Sequence, residues 1–226
     1  MGDAAENMSV TRATKYYKKD FWREENLKFD RLHYRLRKCA TIVNKTARGR
    51  ERDLLDVGCG PAALRQVLDK NIQYHGIDIA IQEPSDELLE ADFLEKPIWF
   101  RGKKFDIIVA QGVFEYMGAF QAQKIDDVAS LLNEGGTFIT TYVNFGHRAR
   151  EIYTPYSNIR SLSEFRADLE RRFIIERCFP TSHNWRHSEP NRNPFVKAVN
   201  MRVNAHIPLL SPRLAVEYFF ICSVRK

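Results

Sequence analysis

Two neighbouring stretches decide how this chain reads: LLDVGCGPAALRQVL, from Leu54 to Leu68, and QYHGIDIA, from Gln73 to Ala80. In the first, an apolar run enters two glycines one residue apart, Gly58 and Gly60, and continues into a segment with helical spacing. The second is another apolar run, closed by Asp78. A strand ending in Asp56-Val57-Gly58-Cys59-Gly60, with a helix opening at Pro61 or Ala62, puts residues without side chains where the chain turns sharply and where a ligand could lie against backbone. Pro61 suits a first helical turn, in which its missing N–H costs nothing. Asp78 lies 18 residues beyond Gly60, where a carboxylate can accept both hydroxyls of a ribose.

Outward from this motif, short apolar runs alternate with helical segments: ALRQVLDK after the first turn, then YHGIDIA, ADF, FDIIVAQG, KIDDVASLLNEGG and TFITTYV. Strands apolar on both faces and alternating with helices predict a parallel sheet covered on both sides, an α/β fold. The pair Gly135-Gly136 reads as a helix stop and tight turn. After Val143 the spacing predicts a helix over SLSEFRADLERR, capped by Ser161 or Ser163 with Glu164 in the first turn, and a strand over FIIERCF. A long loop is expected from Pro180 to Asn193, a helix over residues 195–206 and a closing strand from Leu214 to Val224. Before the motif, apolar positions from Lys15 to Asn44 recur at helical spacing and predict one or two amphipathic helices. The division is thus an N-terminal helical extension, 1–50, and one main domain, 51–226, as expected for a 226-residue chain.

Composition narrows the class. With 44% hydrophobic and 28% charged residues the chain is globular in type, and no apolar run approaches the ~18 residues of a membrane span. Residues 1–17 have no apolar core of the signal-peptide kind, so a cytoplasmic location without membrane partners is expected. The cysteines, Cys39, Cys59, Cys178 and Cys222, show no C-x-x-C spacing, and neither a disulfide framework nor a metal site is expected. Charge is unevenly placed: residues 1–52 and 146–226 each hold 14 basic against 7 acidic side chains, whereas residues 53–145 hold 7 against 15. Basic flanks meeting at one end of a sheet would attract an anionic acceptor; as separate helix faces they would only be solvated.

Gly58, Gly60 and Ala63 formally satisfy the dinucleotide pattern G-x-G-x-x-[GA], so the glycines alone do not choose a ligand. Three further features favour S-adenosylmethionine (SAM). Asp56 suits a cationic methionine end and would repel a pyrophosphate. Asp92-Phe93 offers a carboxylate for the adenine amino group and a ring for the base. FDIIVAQGVFEY ends a fourth strand in Gln111 and Gly112, ahead of LNEGGTFI.

Taken in order, DVGCGPA, GIDI, ADF, FDIIVAQGVFEY and LLNEGGTFI resemble the successive motifs of class I SAM-dependent methyltransferases, over Leu54 to Val143. VNFGH and PYSNIRSLSEF are similar to segments of the methyltransferase-like proteins named for MetW, with Ile159-Arg160 where that pattern has Ile-His. The resemblance implies a Rossmann-like seven-stranded sheet of order 3-2-1-4-5-7-6 with the last strand antiparallel. It also implies that Asp56, Gly58 and Gly60 line the methionine end, Asp78 holds the ribose, Asp92 and Phe93 hold adenine and Gln111 sits beside the sulfonium. Tyr16, Tyr17 and Trp22 would close over the cofactor, as such helices do in related enzymes.

Methyl transfer needs alignment, plus a base when the nucleophile is a hydroxyl. His147, just past the fifth strand, is the candidate base, because a histidine titrates near working pH. Glu115 and Tyr116 after the fourth strand, with His183 and Trp185 in the long loop, are candidates to line the acceptor site, joined there by His187. Arg148, Arg150 and Arg160 could clamp an anionic group on the acceptor. The leading expectation is O-methylation of a small molecule or glycan in a biosynthetic pathway. A non-catalytic MetW-like partner protein and an RNA methyltransferase, the latter prompted by a pI near 9.1, are the alternatives. Nucleic acid ranks behind a small acceptor because no RNA-binding signature is visible.

Overall fold

The computed structural model describes residues 19–26, 32, 34–95, 102–144, 160–183 and 215–225. Among the described residues two helices come first, α1 (Lys19–Asn26) and α2 (Tyr34–Ala47), within the stretch whose spacing predicts amphipathic helices. Four strands then follow, β1 (Arg52–Val57), β2 (Ile72–Asp78), β3 (Leu88–Glu90) and β4 (Phe105–Ala110). Beyond them lie α3 (Gln121–Leu131), β5 (Leu132–Val143), α4 (Leu162–Arg172), β6 (Phe173–His183) and β7 (Ala215–Val224).

The strands form one seven-stranded sheet in the order β3-β2-β1-β4-β5-β7-β6. β1 to β5 run parallel, and β7 enters antiparallel to β5 and β6. This is the Rossmann-like methyltransferase sheet expected above.

Alternation along the strands explains why both faces are covered. Successive side chains point to opposite faces, and in β4 Ile107 and Val109 join one core cluster while Ile108 and Ala110 join the other. On one side Cys39, Ala40, Val43 and Ala47 of α2 pack against Leu54, Tyr74, Ile107, Ile139 and Phe219. On the other, Ile125 and Val128 of α3 and Phe165 and Leu169 of α4 pack against Leu55, Phe138, Tyr142 and Phe220. Tyr142 and Phe165 stack with ring centroids 4.0 Å apart and planes 9° off parallel. Helix α4 begins with the expected cap: the Ser161 hydroxyl accepts from the Glu164 amide, and the Glu164 carboxylate accepts from the Ser161 amide at 2.7 Å.

Three local expectations need correction. The ALRQVLDK segment forms only a five-residue 3-10 turn, Ala63–Val67, because Gly60 and Ala62 both adopt left-handed backbone (φ 52° and 54°) and so turn the chain twice before any helix starts. The layer such a helix would cover is supplied by α2 instead. Gly135-Gly136 is not a turn between elements: α3 ends at Leu131, β5 starts at Leu132, and the glycines lie in an irregular stretch between the Phe105–Leu132 and Ile107–Thr137 pairings. Finally, β6 runs on through Pro180 to His183, paired with β7, so the expected loop begins later than its composition suggests. Residues 195–206, expected to be helical, lie outside the described residues.

Candidate active site

The parallel strands β1, β2, β3 and β4 end side by side at Val57, Asp78, Glu90 and Ala110, making the carboxyl edge where open α/β sheets bind ligands. Gly58 and Cys59 both donate their backbone amides to the Ile77 carbonyl, at 2.8 and 3.1 Å, which clamps the first turn onto β2. The Gly60 amide donates to Asp78 Oδ2 at 2.9 Å, and the Ala80 amide to Asp78 Oδ1 at 2.9 Å. The glycine turn therefore spends its first three amides on the protein itself. A pyrophosphate needs such amides, together with a helix N-terminus, free to meet it, and here the helix is replaced by a short 3-10 turn. A ligand recognised through carboxylates, as a ribose and a methionine ammonium are, fits this edge better than a redox dinucleotide.

Asp78 is held above the ordinary aspartate range by burial, offset by the hydrogen bonds it accepts from Gly60, Ala80 and Asn26. Its place at the end of β2 suits a ribose diol. Asp56 is buried beneath the turn, 4% exposed, and its Oδ2 accepts a 2.8 Å bond from the Tyr74 hydroxyl. Burial raises its pKa to about 7, against the lowering effect of that hydroxyl. Asp56 is therefore already bonded to Tyr74, which the sequence reading did not foresee. Gly58, with φ 69°, has its missing side chain accounted for by protein: a Cβ there would lie 2.4 Å from Val113 Cγ2. At Gly60 a Cβ would lie 3.2 Å from Asn26 Oδ1. Asp92 accepts from the Leu94 amide at 2.8 Å, just past the end of β3. The Phe93 ring is 6% exposed within the core, with the Lys124 ammonium 5.2 Å from its centroid, so it does not stand open for a base to lie on.

Helix α1 covers this edge. Lys19 and Arg23 pair with Glu90 at the end of β3. Asn26 donates to Asp78 Oδ1 and to the Ala80 carbonyl, both at 3.3 Å. Trp22 meets the Tyr116 ring edge-on at 5.3 Å. The cover expected from the resemblance thus comes in part from Trp22, while Tyr16 and Tyr17 lie outside the described residues. Asn26 was missed because it sits 52 residues from Asp78 with no motif around it.

One strand further along lies a second group of polar side chains. Gln111 follows β4, and its Oε1 is buried with no hydrogen-bond partner among the described residues. The Gly112 amide donates to Thr141 Oγ1 at 2.9 Å. Glu115, on the 3-10 turn Phe114–Tyr116, is 4% exposed, and its Oε2 has no partner among the described residues. Burial, reinforced by the Glu217 carboxylate, pushes its pKa up to about 8 against the opposing pull of Arg35. Arg35 of α2 donates to Glu217 Oε1 at 2.8 Å, and its guanidinium lies 3.2 Å from where a Gly112 Cβ would be. Glu217 pairs with Val143 across β7 and β5, which places it at the same edge. Arg35 and Glu217 carry no spacing signal and become visible only through the fold.

Arg160 is engaged elsewhere. Its Nε lies 2.9 Å from Asp168 Oδ2 on α4, and its carbonyl accepts from the Tyr142 hydroxyl at 2.8 Å, so it braces the start of α4 rather than standing ready for an acceptor. His183 has its backbone at the end of β6, paired with Ala215, and not in a loop. His147, Arg148, Arg150, Trp185 and His187 lie outside the described residues.

Comparisons with known proteins agree with this geometry. A family model described as a methyltransferase domain matches residues 31–188. No curated protein sequence matches the chain. Among solved structures, the chain is similar to the N-methyltransferase NodS from Bradyrhizobium japonicum, solved with S-adenosyl-L-homocysteine, at 12% identity over 84% of this chain and 87% of that one (TM-score 0.55). It is similar to the putative methyltransferase in a complex with the Trm112 activator from Haloferax volcanii, at 17% identity over 92% and 98% (TM-score 0.62). A putative sarcosine dimethylglycine methyltransferase from Galdieria sulphuraria aligns at 16% identity over 81% and 83% (TM-score 0.56). At such identities these likenesses speak for the fold alone, whereas the family model spans most of the sequence. Sheet order, carboxylate edge and family match converge: the chain belongs to the methyltransferase-domain family and is a class I SAM-dependent methyltransferase.

Proposed function

We propose that this enzyme methylates a hydroxyl of a small molecule or glycan in a biosynthetic pathway, with Asp78 holding the ribose of SAM and Asp92 beside the adenine. When bound, SAM supplies an electrophilic methyl group on a positively charged sulfur. The observation that carries the preference for a small acceptor is the cover formed by α1. Its contacts to Glu90, Asp78 and Tyr116 close the carboxyl edge on the side of β2, β3 and β4, which suits a compact acceptor better than a polymer laid across the sheet. Gln111 and Glu115, whose buried oxygens lack donors among the described residues, suit an acceptor that brings its own O–H. His147, Arg148 and Trp185 belong to this reading as flanking acceptor residues from the segments after β5 and β6.

Two measurements test the reading. S-adenosyl-L-homocysteine should raise the melting temperature of the purified protein in a concentration-dependent way. Methyl-labelled SAM should then pass label to a member of a panel of phenols, sugars and nucleotide sugars. Label passing only to RNA, with salt-sensitive retention of RNA, would replace the small acceptor with a nucleic acid. Binding of the nucleoside without transfer to either panel would favour a non-catalytic partner protein.

A further inference from the structure

Resting on that reading, we propose that Glu115 is the proton acceptor of the transfer reaction, with Arg35 and Glu217 as its positioning residues. Three independent features of the fold lead there. The first is location: Glu115 sits on the turn that leaves β4, two strands along the carboxyl edge from Asp78 and next to the strand that leads into the glycine turn, at the edge shared by Gly112 and Glu217. The second is an unfilled bonding capacity. Glu115 is 4% exposed and its Oε2 has no partner among the described residues, in the same region as the unpartnered Oε1 of Gln111. Burying such an acceptor without a donor is unfavourable, and an acceptor molecule bringing its own O–H removes that cost.

The third is support. Gln121, fully buried, donates to the Phe114 carbonyl at 2.7 Å and to the Tyr142 hydroxyl at 2.9 Å, so the turn carrying Glu115 is fastened to α3 and β5. A carboxylate on so fixed a backbone can hold a reacting hydroxyl in line, which is the main service such a reaction asks of its enzyme.

The surroundings of Glu115 define its charge. Arg35 of α2 and Glu217 of β7 face it, already bonded to each other at 2.8 Å; Tyr116 on its own turn and Tyr142 of β5 are the other titratable neighbours among the described residues. Because Arg35 is committed to Glu217, it orients the cluster without quenching Glu115 by a direct ion pair. Burial holds the carboxyl near pH 8, close to working pH, where a general base is most effective. In the step, the acceptor hydroxyl gives its proton to Glu115 Oε2 while its oxygen bonds to the methyl carbon. The carbon–sulfur bond breaks with its electron pair left on sulfur, so the positive charge on sulfur and the negative charge on Glu115 both disappear.

The test uses the full chain with S-adenosyl-L-homocysteine bound, comparing wild type with Glu115→Gln and Glu115→Asp. Nucleoside affinity measured by calorimetry should stay within about twofold in both variants, since Glu115 lies outside the cradle; its loss in wild type would sink the SAM reading itself rather than this assignment. In infrared difference spectra, wild type should show a protonated-carboxyl band that titrates near pH 8, is absent in Glu115→Gln, and shifts when hydroxyl probes from the panel, phenol first, are added. With the panel member that accepts label, Glu115→Gln should slow transfer by about a hundredfold or more. Glu115→Asp should recover part of the rate. A carboxyl band unmoved by every probe, or a Glu115→Gln enzyme with wild-type rate and pH profile, overturns the assignment.

Discussion

Replacing Glu115 by Gln should remove one proton's worth of pH dependence from the stability of the fold. The carboxyl has a folded pKa of about 8 against 4.5 for the free side chain, because burial and the Glu217 carboxylate disfavour its ionised form more than Arg35 favours it. Below pH 4.5 the group is protonated in both folded and unfolded chains and contributes no difference. Between pH 4.5 and about 8 the unfolded chain ionises while the folded one stays protonated, so the folded state binds more protons and stability falls as pH rises. At ~1.4 kcal/mol per pH unit, this interval amounts to a loss of about 5 kcal/mol by pH 8. Glutamine, uncharged throughout, does not suffer it. Asp56, raised to about 7 by burial, imposes a similar fall at somewhat lower pH, but in both proteins equally, so the difference between them isolates Glu115. Urea unfolding of both proteins at a series of pH values from 5 to about 9 is the assay. The two stability curves should meet near pH 5 and separate steadily, the variant being the more stable at high pH. Parallel curves would refute both the perturbed carboxyl and the reasoning built on its burial.

Asp78→Ala should lower affinity for S-adenosyl-L-homocysteine by a hundredfold or more by calorimetry, since a bidentate charged contact to a diol is worth about 3 kcal/mol; retained affinity would remove Asp78 from the ribose site. Gly58→Ala places a methyl 2.4 Å from Val113 on backbone with φ 69°. It should destabilise by about 1–3 kcal/mol in denaturant unfolding, and an added Val113→Ala should return the steric part only. Ser161→Ala breaks the capping box of α4 and should cost about 1 kcal/mol of unfolding free energy.

Much of the sheet can be read directly from the chain because its signals are local. Alternation of apolar residues with turn glycines marks β1, β2 and β4, and Asp78 follows Gly60 at a spacing that only a strand–turn–strand unit makes meaningful. Ser161 and Glu164 are likewise legible, since a cap is a four-residue affair. The ALRQVLDK segment misled because its helical spacing is real, while left-handed backbone at Gly60 and Ala62 takes up the turn and α2 takes the place of the helix. What could not be read depends on contacts between distant elements. Arg35 meets Glu217 across 182 positions, Asn26 meets Asp78 across 52, and no periodicity announces either. Arg160 looked free as a cation in a polar stretch, and only the fold brings Asp168 beneath it.

The edge-on meeting of Trp22 and Tyr116 has a practical consequence. An indole that rides on α1 and rests on a residue of the turn after β4 is a fluorophore mounted at the contact between that helix and the sheet edge. Any lifting of that helix exposes it to water and shifts its emission to the red. The molecule thereby carries its own optical gauge of whether that contact is made, readable by stopped flow against a background in which Trp99 and Trp185 are replaced by Phe.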